Sequence, residues 1–156
     1  MCSYRRVLLA SHGTPGAQAA ERYALAHCTD SLHHLIAAPD FWADMMGDDW
    51  LNNAQVRHEY GSYLERELAR EIESHIIRVA TAAKGLRYIC EIVVGRPDAE
   101  LVKAATQRPY DLVVLGSSRP KGASGLRSRM LTPKLARSLN APLFVAPYPH
   151  FLLKER

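Results

Sequence analysis

The chain has 156 residues, 47% hydrophobic and 23% charged, which suits one domain over residues 1–156 with its own core and excludes disordered and collagen-like classes. Apolar runs such as Val7 to Ala10 fall far short of the roughly 20 residues that cross a bilayer, and the N-terminus lacks a signal-peptide core, so a cytoplasmic protein without membrane contact is expected. The net charge of +4 is uneven: acids crowd between Asp40 and Glu73, and none lies between Asp111 and Glu155, where Arg119, Lys121, Arg127, Arg129, Lys134, Arg137 and Lys154 form the side an anion would choose.

In chain order, Arg6 to Ser11 is a short apolar run closed by His12-Gly13-Thr14-Pro15-Gly16, which reads as a strand buried on both faces and its turn. Ala17 to Cys28 carries small and apolar residues at helical spacing, with Glu21 and Arg22 expected outward, and Thr29-Asp30 is expected to end that helix. Leu32 to Ala38 reads as the second strand. The connection after it, from Phe41 to Trp50, is rich in aromatic residues and Met, and packing onto the domain is favoured over a lid.

Leu64, Leu68, Ile72, Ile76, Val79 and Ala83 then step by three or four, a helix that Gly85 would stop. Leu86 to Val94 reads as strand three. Pro97 to Gln107 reads as a helix, with Pro97 in its first turn and Asp98 and Glu100 suited to the N-terminal dipole. Asp111 to Gly116 is strand four, a Gly/Ser/basic loop leads to a helix ending near Leu139, and Pro142 to Ala146 is strand five. The three cysteines form no C-x-x-C pair and read as reduced thiols, with Cys28 and Cys90 expected to be buried.

Strands alternating with helices imply right-handed crossovers and an α/β three-layer, doubly wound, five-strand parallel sheet. In the common order 3-2-1-4-5, connections leave strands one and four in opposite directions and open a crevice at their carboxyl ends. His12-Gly13-Thr14 and Gly116-Ser117-Ser118 are expected there.

Several segments resemble the universal stress protein family: the first strand with its Gly-Thr turn, Val93-Val94-Gly95-Arg96-Pro97, Tyr110-Asp-Leu-Val-Val-Leu-Gly116 and Ala141-Pro142-Leu-Phe-Val. The resemblance spans nearly the whole chain. It implies a nucleotide-binding α/β fold, a homodimer, a link to survival under stress, and no well-defined chemical reaction. ATP-binding members follow strand four with G-x2-G-x9-G-[ST], whose glycines let backbone N–H groups close around phosphates and whose hydroxyl caps a helix. Counted from Gly116, the later positions here are Arg119, Arg129 and Met130, so three of the four motif positions depart.

The family's Asp after strand one is matched by His12, which can hydrogen-bond a ribose only without negative charge. An adenine contact would fall near Ala37. Gly13, Thr14, Gly116, Ser117 and Gly122 suit close approach by a ligand, and Arg119, Lys121 and Arg129 offer charge-assisted bonds to phosphate in place of bare amides. Thr132-Pro133 is a strong helix start, with the hydroxyl at the cap and proline in the first turn.

Other chemistry is less well supported. His33 and His34 should point to opposite faces of strand two, so only one could join His12 at a metal, with no acidic or Cys partner evident. Ser11-His12 lacks a G-x-S-x-G elbow, no catalytic base can be named, and the basic third lacks the interleaved aromatics of a nucleic-acid reader. The expected function is a non-catalytic binding or regulatory protein of the stress response, with weak or altered binding of an adenine nucleotide or phosphate. The alternative is a functional ATP or AMP binder whose basic loop replaces the glycines, and a slow ATPase is the enzymatic rival. No cofactor is certain. Strand five, with Leu143, Phe144 and Val145 uncharged at a sheet edge, is the expected homodimer edge, whereas Arg87 and Glu91 are expected to protect the opposite edge at strand three.

Overall fold

Nine elements are seen in a computed structural model that describes residues 2–11, 15–38, 66, 70, 72–117 and 132–148. They are β1 (Tyr4–Ala10), α1 (Pro15–His27), β2 (Cys28–Ala38), α2 (72–82), β3 (Arg87–Val94), α3 (Pro97–Gln107), β4 (Leu112–Gly116), α4 (Thr132–Ser138) and β5 (Leu143–Ala146). All strand pairs are parallel and the order is β3-β2-β1-β4-β5, the expected topology.

The central strand shows why its sequence is a continuous apolar run. Val7 and Leu9 point into a core made with Ala20 and Ala24 of α1 and Val79 of α2. Leu8 and Ala10 point to the other face, against Leu101 and Ala104 of α3 and Leu135 of α4. With neighbours on both faces, each large side chain in this run contributes roughly 2 kcal/mol by burial. In register, Leu8 stands beside His33 on one side and Val113 on the other. At the amino end of the strand, Asp111 clamps β1: its carboxylate accepts the Arg6 N–H at 2.9 Å, and its own N–H donates to the Arg6 carbonyl at 2.8 Å.

Three local expectations are corrected. First, β2 begins at Cys28 rather than Leu32, directly after α1. Thr29 and Asp30 do not break the chain there, because Thr29 Oγ1 donates to the Tyr4 carbonyl at 3.2 Å and Asp30 pairs with Arg87 at 3.2 Å. Second, Glu21 faces inward and is 3% exposed, while Arg22 is exposed as expected. Third, Cys28 is buried but Cys90 is only partly so. Burial raises the pKa of both thiols, so neither is a ready thiolate.

Gly85 ends the α2 region as expected, with φ +90°, a conformation that favours glycine. Among the described residues, no helix is long and apolar enough to cross a membrane.

Candidate functional site

The carboxyl ends of β1 and β4 lie side by side, with Ala10 opposite Leu115. Residues just beyond them stand where the crevice is expected. Ser11 is buried, and its N–H donates to the Leu35 carbonyl at 3.2 Å. Ser117 is tied to β5 by its N–H, which donates to the Ala146 carbonyl at 2.9 Å. Its side-chain hydroxyl is buried and has no hydrogen-bond partner among the described residues. A buried hydroxyl without a partner is costly, and it is the kind of group that a ligand oxygen relieves.

Of the candidate residues, Gly116 and Ser117 stand together at this point, both partly buried. Ala37 is near the end of β2, paired in register with Val93, also partly buried. Thr132 is the first residue of α4 and Pro133 the second, which agrees with a proline in the first turn. His12, Gly13, Thr14, Arg119, Lys121, Gly122 and Arg129 lie outside the described residues, as does the Phe41 to Trp50 segment.

Beneath the crevice is a charged tether that the sequence reading missed. Ser11 Oγ donates to Glu21 Oε1 at 2.5 Å, and Arg78 donates to Glu21 Oε2 at 2.6 Å while also meeting His75 Nδ1 at 2.7 Å. The carboxylate is thus taken out of water with a charge partner and a hydroxyl donor, which is what a buried acid requires. The tether joins the end of β1 to α1 and α2. A signal was present, since Ala17, Ala20, Glu21 and Ala24 form one buried stripe at helical spacing.

The two histidines of β2 do face opposite ways. His34 is fully buried on the α1/α2 side, with Nδ1 2.7 Å from the Tyr88 hydroxyl. Burial, reinforced by the positive charges of His75 and Arg78, pushes its pKa down to about 4, so the ring is neutral at physiological pH. Tyr88 also hydrogen-bonds Cys90. If the phenol donates to that sulfur and receives Nδ1–H, His34 Nε2 is left as a buried acceptor without a partner among the described residues.

His33, on the α3 side, bonds the Tyr110 hydroxyl through Nδ1 and Glu91 Oε2 through Nε2 at 3.0 Å. The acidic partner thought missing near this pair is therefore Glu91. Burial lowers the His33 pKa and outweighs the opposing pull of Glu91. Both ring nitrogens are satisfied, and Tyr110 is held as a phenol with its pKa raised by burial.

The family model described as "Universal stress protein family" matches residues 3–147. Among curated proteins none matches. Solved structures do. Hypothetical protein MJ0577 is 19% identical with a TM-score of 0.67, covering 94% of this chain and 97% of its own. The universal stress protein UspA from Lactobacillus plantarum is 20% identical with a TM-score of 0.63, covering 94% and 99%. A universal stress protein in complex with cAMP is 18% identical with a TM-score of 0.52, again covering 94% and 99%. At these identities the structural likeness speaks for the fold.

Proposed function

Because the chain belongs to the universal stress protein family, we propose that it acts by binding and association rather than turnover. In this reading it serves the stress response in the cytoplasm, and the β1/β4 crevice takes an adenine nucleotide or another phosphate with reduced affinity. The observation that carries the reading is Ser117: among the described residues its buried hydroxyl lacks a partner, beside Gly116 at the carboxyl end of β4. A phosphate or ribose oxygen placed there would supply that partner. The family's structural neighbour in complex with cAMP supports the ligand class.

Reduced affinity follows from the residue types. Arg119 and Arg129 stand where glycines would let the backbone close on phosphate, and His12 stands where an anionic side chain would hold the nucleoside. The arginines and Lys121 attract phosphate by charge, but long side chains must be ordered to do so. The test is to denature freshly purified protein and assay the released nucleotide. Substoichiometric or no nucleotide is expected, and a full equivalent of ATP or AMP would contradict the proposal.

The same reading includes a homodimer through β5. Val113 N–H donates to the Pro142 carbonyl and Ser117 N–H to the Ala146 carbonyl, so the even-numbered residues of β5 face β4. By alternation, the main-chain groups of Leu143 and Val145 then face the outer edge, where a second copy could pair.

A further inference from the structure

The opposite edge of the sheet has chemistry of its own. β3 is the terminal strand there, with eight residues against four in β5. Among the described residues, the exposed large hydrophobics are Ile77 and, on this single strand, Ile89 (39%), Ile92 (53%) and Val94 (67%). The expected protection of this edge by Arg87 and Glu91 is therefore incomplete. An exposed edge strand with apolar side chains is a template for another strand.

The charges on β3 indicate which strand fits. Arg87, Ile89 and Glu91 alternate onto one face of the sheet, with the isoleucine midway between opposite charges. Such a segment complements itself when turned end for end. We propose that β3 pairs antiparallel with β3 of a second copy, about a two-fold axis through Ile89. Ile89 then faces its own counterpart, Arg87 faces the second copy's Glu91 on either side of it, and Leu86 faces the second copy's Ile92.

Other registers lose this match. A shift by one residue sets Arg87 against Cys90 or Ile92, and an in-register parallel pairing sets Arg87 against Arg87 and Glu91 against Glu91. Like charges directly opposite one another oppose pairing. Both groups keep bonding capacity for the contact. Among the described residues, Arg87 holds Asp30 through Nη2 alone, at 3.2 and 3.4 Å, and Glu91 receives His33 on Oε2 alone. This edge is separate from β5 and from the crevice, so its pairing stands or falls independently of the nucleotide reading.

A disulfide across the two-fold axis tests it and is blind to association at β5. Ile89→Cys is placed in a chain carrying Cys2→Ser and Cys90→Ser, oxidised with copper-phenanthroline and read as dimer on a non-reducing gel, with folding checked by circular dichroism. The expected result is efficient crosslinking, reduced about tenfold when either Arg87→Glu or Glu91→Arg is added. Mixing those two variants should restore it, because each mixed pair again sets opposite charges face to face. Absence of crosslinking in the parent, single variants that crosslink as well as the parent, or a mixture that stays monomeric would each overturn the proposal.

Discussion

Glu21 brings a charge into the core of the molecule and is held there by two groups, the Ser11 hydroxyl and the Arg78 guanidinium. Removing one partner of such a group costs more than the bond itself, because the remaining charge stays buried. Arg78 is half exposed and water can partly replace it, so Arg78→Ala is expected to cost about 2 kcal/mol in urea unfolding. Glu21→Gln should cost less, since its amide oxygen still accepts from Ser11. An unchanged midpoint in Arg78→Ala would remove the tether from the stability argument. Carboxylate chemistry alone places residue 21 outside and helical spacing places it inside; position prevailed because partners for the charge came from two distant segments. Residue type could not announce those partners.

His34 gives a pH dependence whose sign follows from its depressed pKa. The unfolded chain takes up this proton near pH 6.5, whereas the folded chain resists until about 4. The contribution is therefore complete above pH 6.5 and is lost as pH falls toward 4, to a total of roughly 3 kcal/mol. His33, also lowered, acts in the same direction. The urea midpoint should fall across this window in the parent and fall less steeply in His34→Leu. A midpoint flat from pH 7 to 4 would contradict the burial of an uncharged ring.

At the scale of elements, local signals were read well where backbone conformation is specific to a residue type. Gly85 is such a position: its φ is +90° and a Cβ there would meet nothing within 4 Å, so Gly85→Ala isolates backbone strain from crowding. The expected cost is about 1 kcal/mol by thermal or urea unfolding, and a neutral or stabilising substitution would show that the turn relaxes. The start of β2 departs from expectation because Asp is a weak strand former and common in turns, so Thr29-Asp30 reads as a break. The overriding forces are distant in sequence: Tyr4 pairs with Cys28 across a register shift, and Arg87 reaches Asp30. Phe144 was read as a free apolar edge residue, yet its ring stacks on Tyr23 of α1 at 3.7 Å between centroids. A substitution at Phe144 would therefore disturb the α1/β5 contact as well as any edge pairing.

At the scale of the whole molecule, the order of strands and the address of the crevice were legible from connectivity alone. Parallel strands joined by right-handed crossovers have few arrangements, and the order 3-2-1-4-5 places the ends of β1 and β4 together. The details at that address were less legible. Ser117 follows Gly116 in the sequence, but the absence of a partner for its hydroxyl among the described residues depends on packing around it. The Ser11-Glu21-Arg78 tether beneath it needs three elements in place before it exists. The two free edges also had to be compared in three dimensions, since the eight-residue edge at β3 exposes more apolar side chain than sequence charge suggests.

For the β5 edge, Val145→Pro removes an outward N–H while leaving the bonds from β4 to Pro142 and Ala146 intact. Sedimentation should show loss of the β5 dimer with the fold retained, and unchanged association would place that dimer elsewhere. The central claim, a universal stress protein fold with a weakened nucleotide crevice, is tested most directly by calorimetric titration of the intact protein with ATP at low and at physiological ionic strength. A dissociation constant above about 10 μM, weakening further with salt as charge-based phosphate contacts require, is the expected result. Submicromolar binding that is indifferent to salt would contradict it.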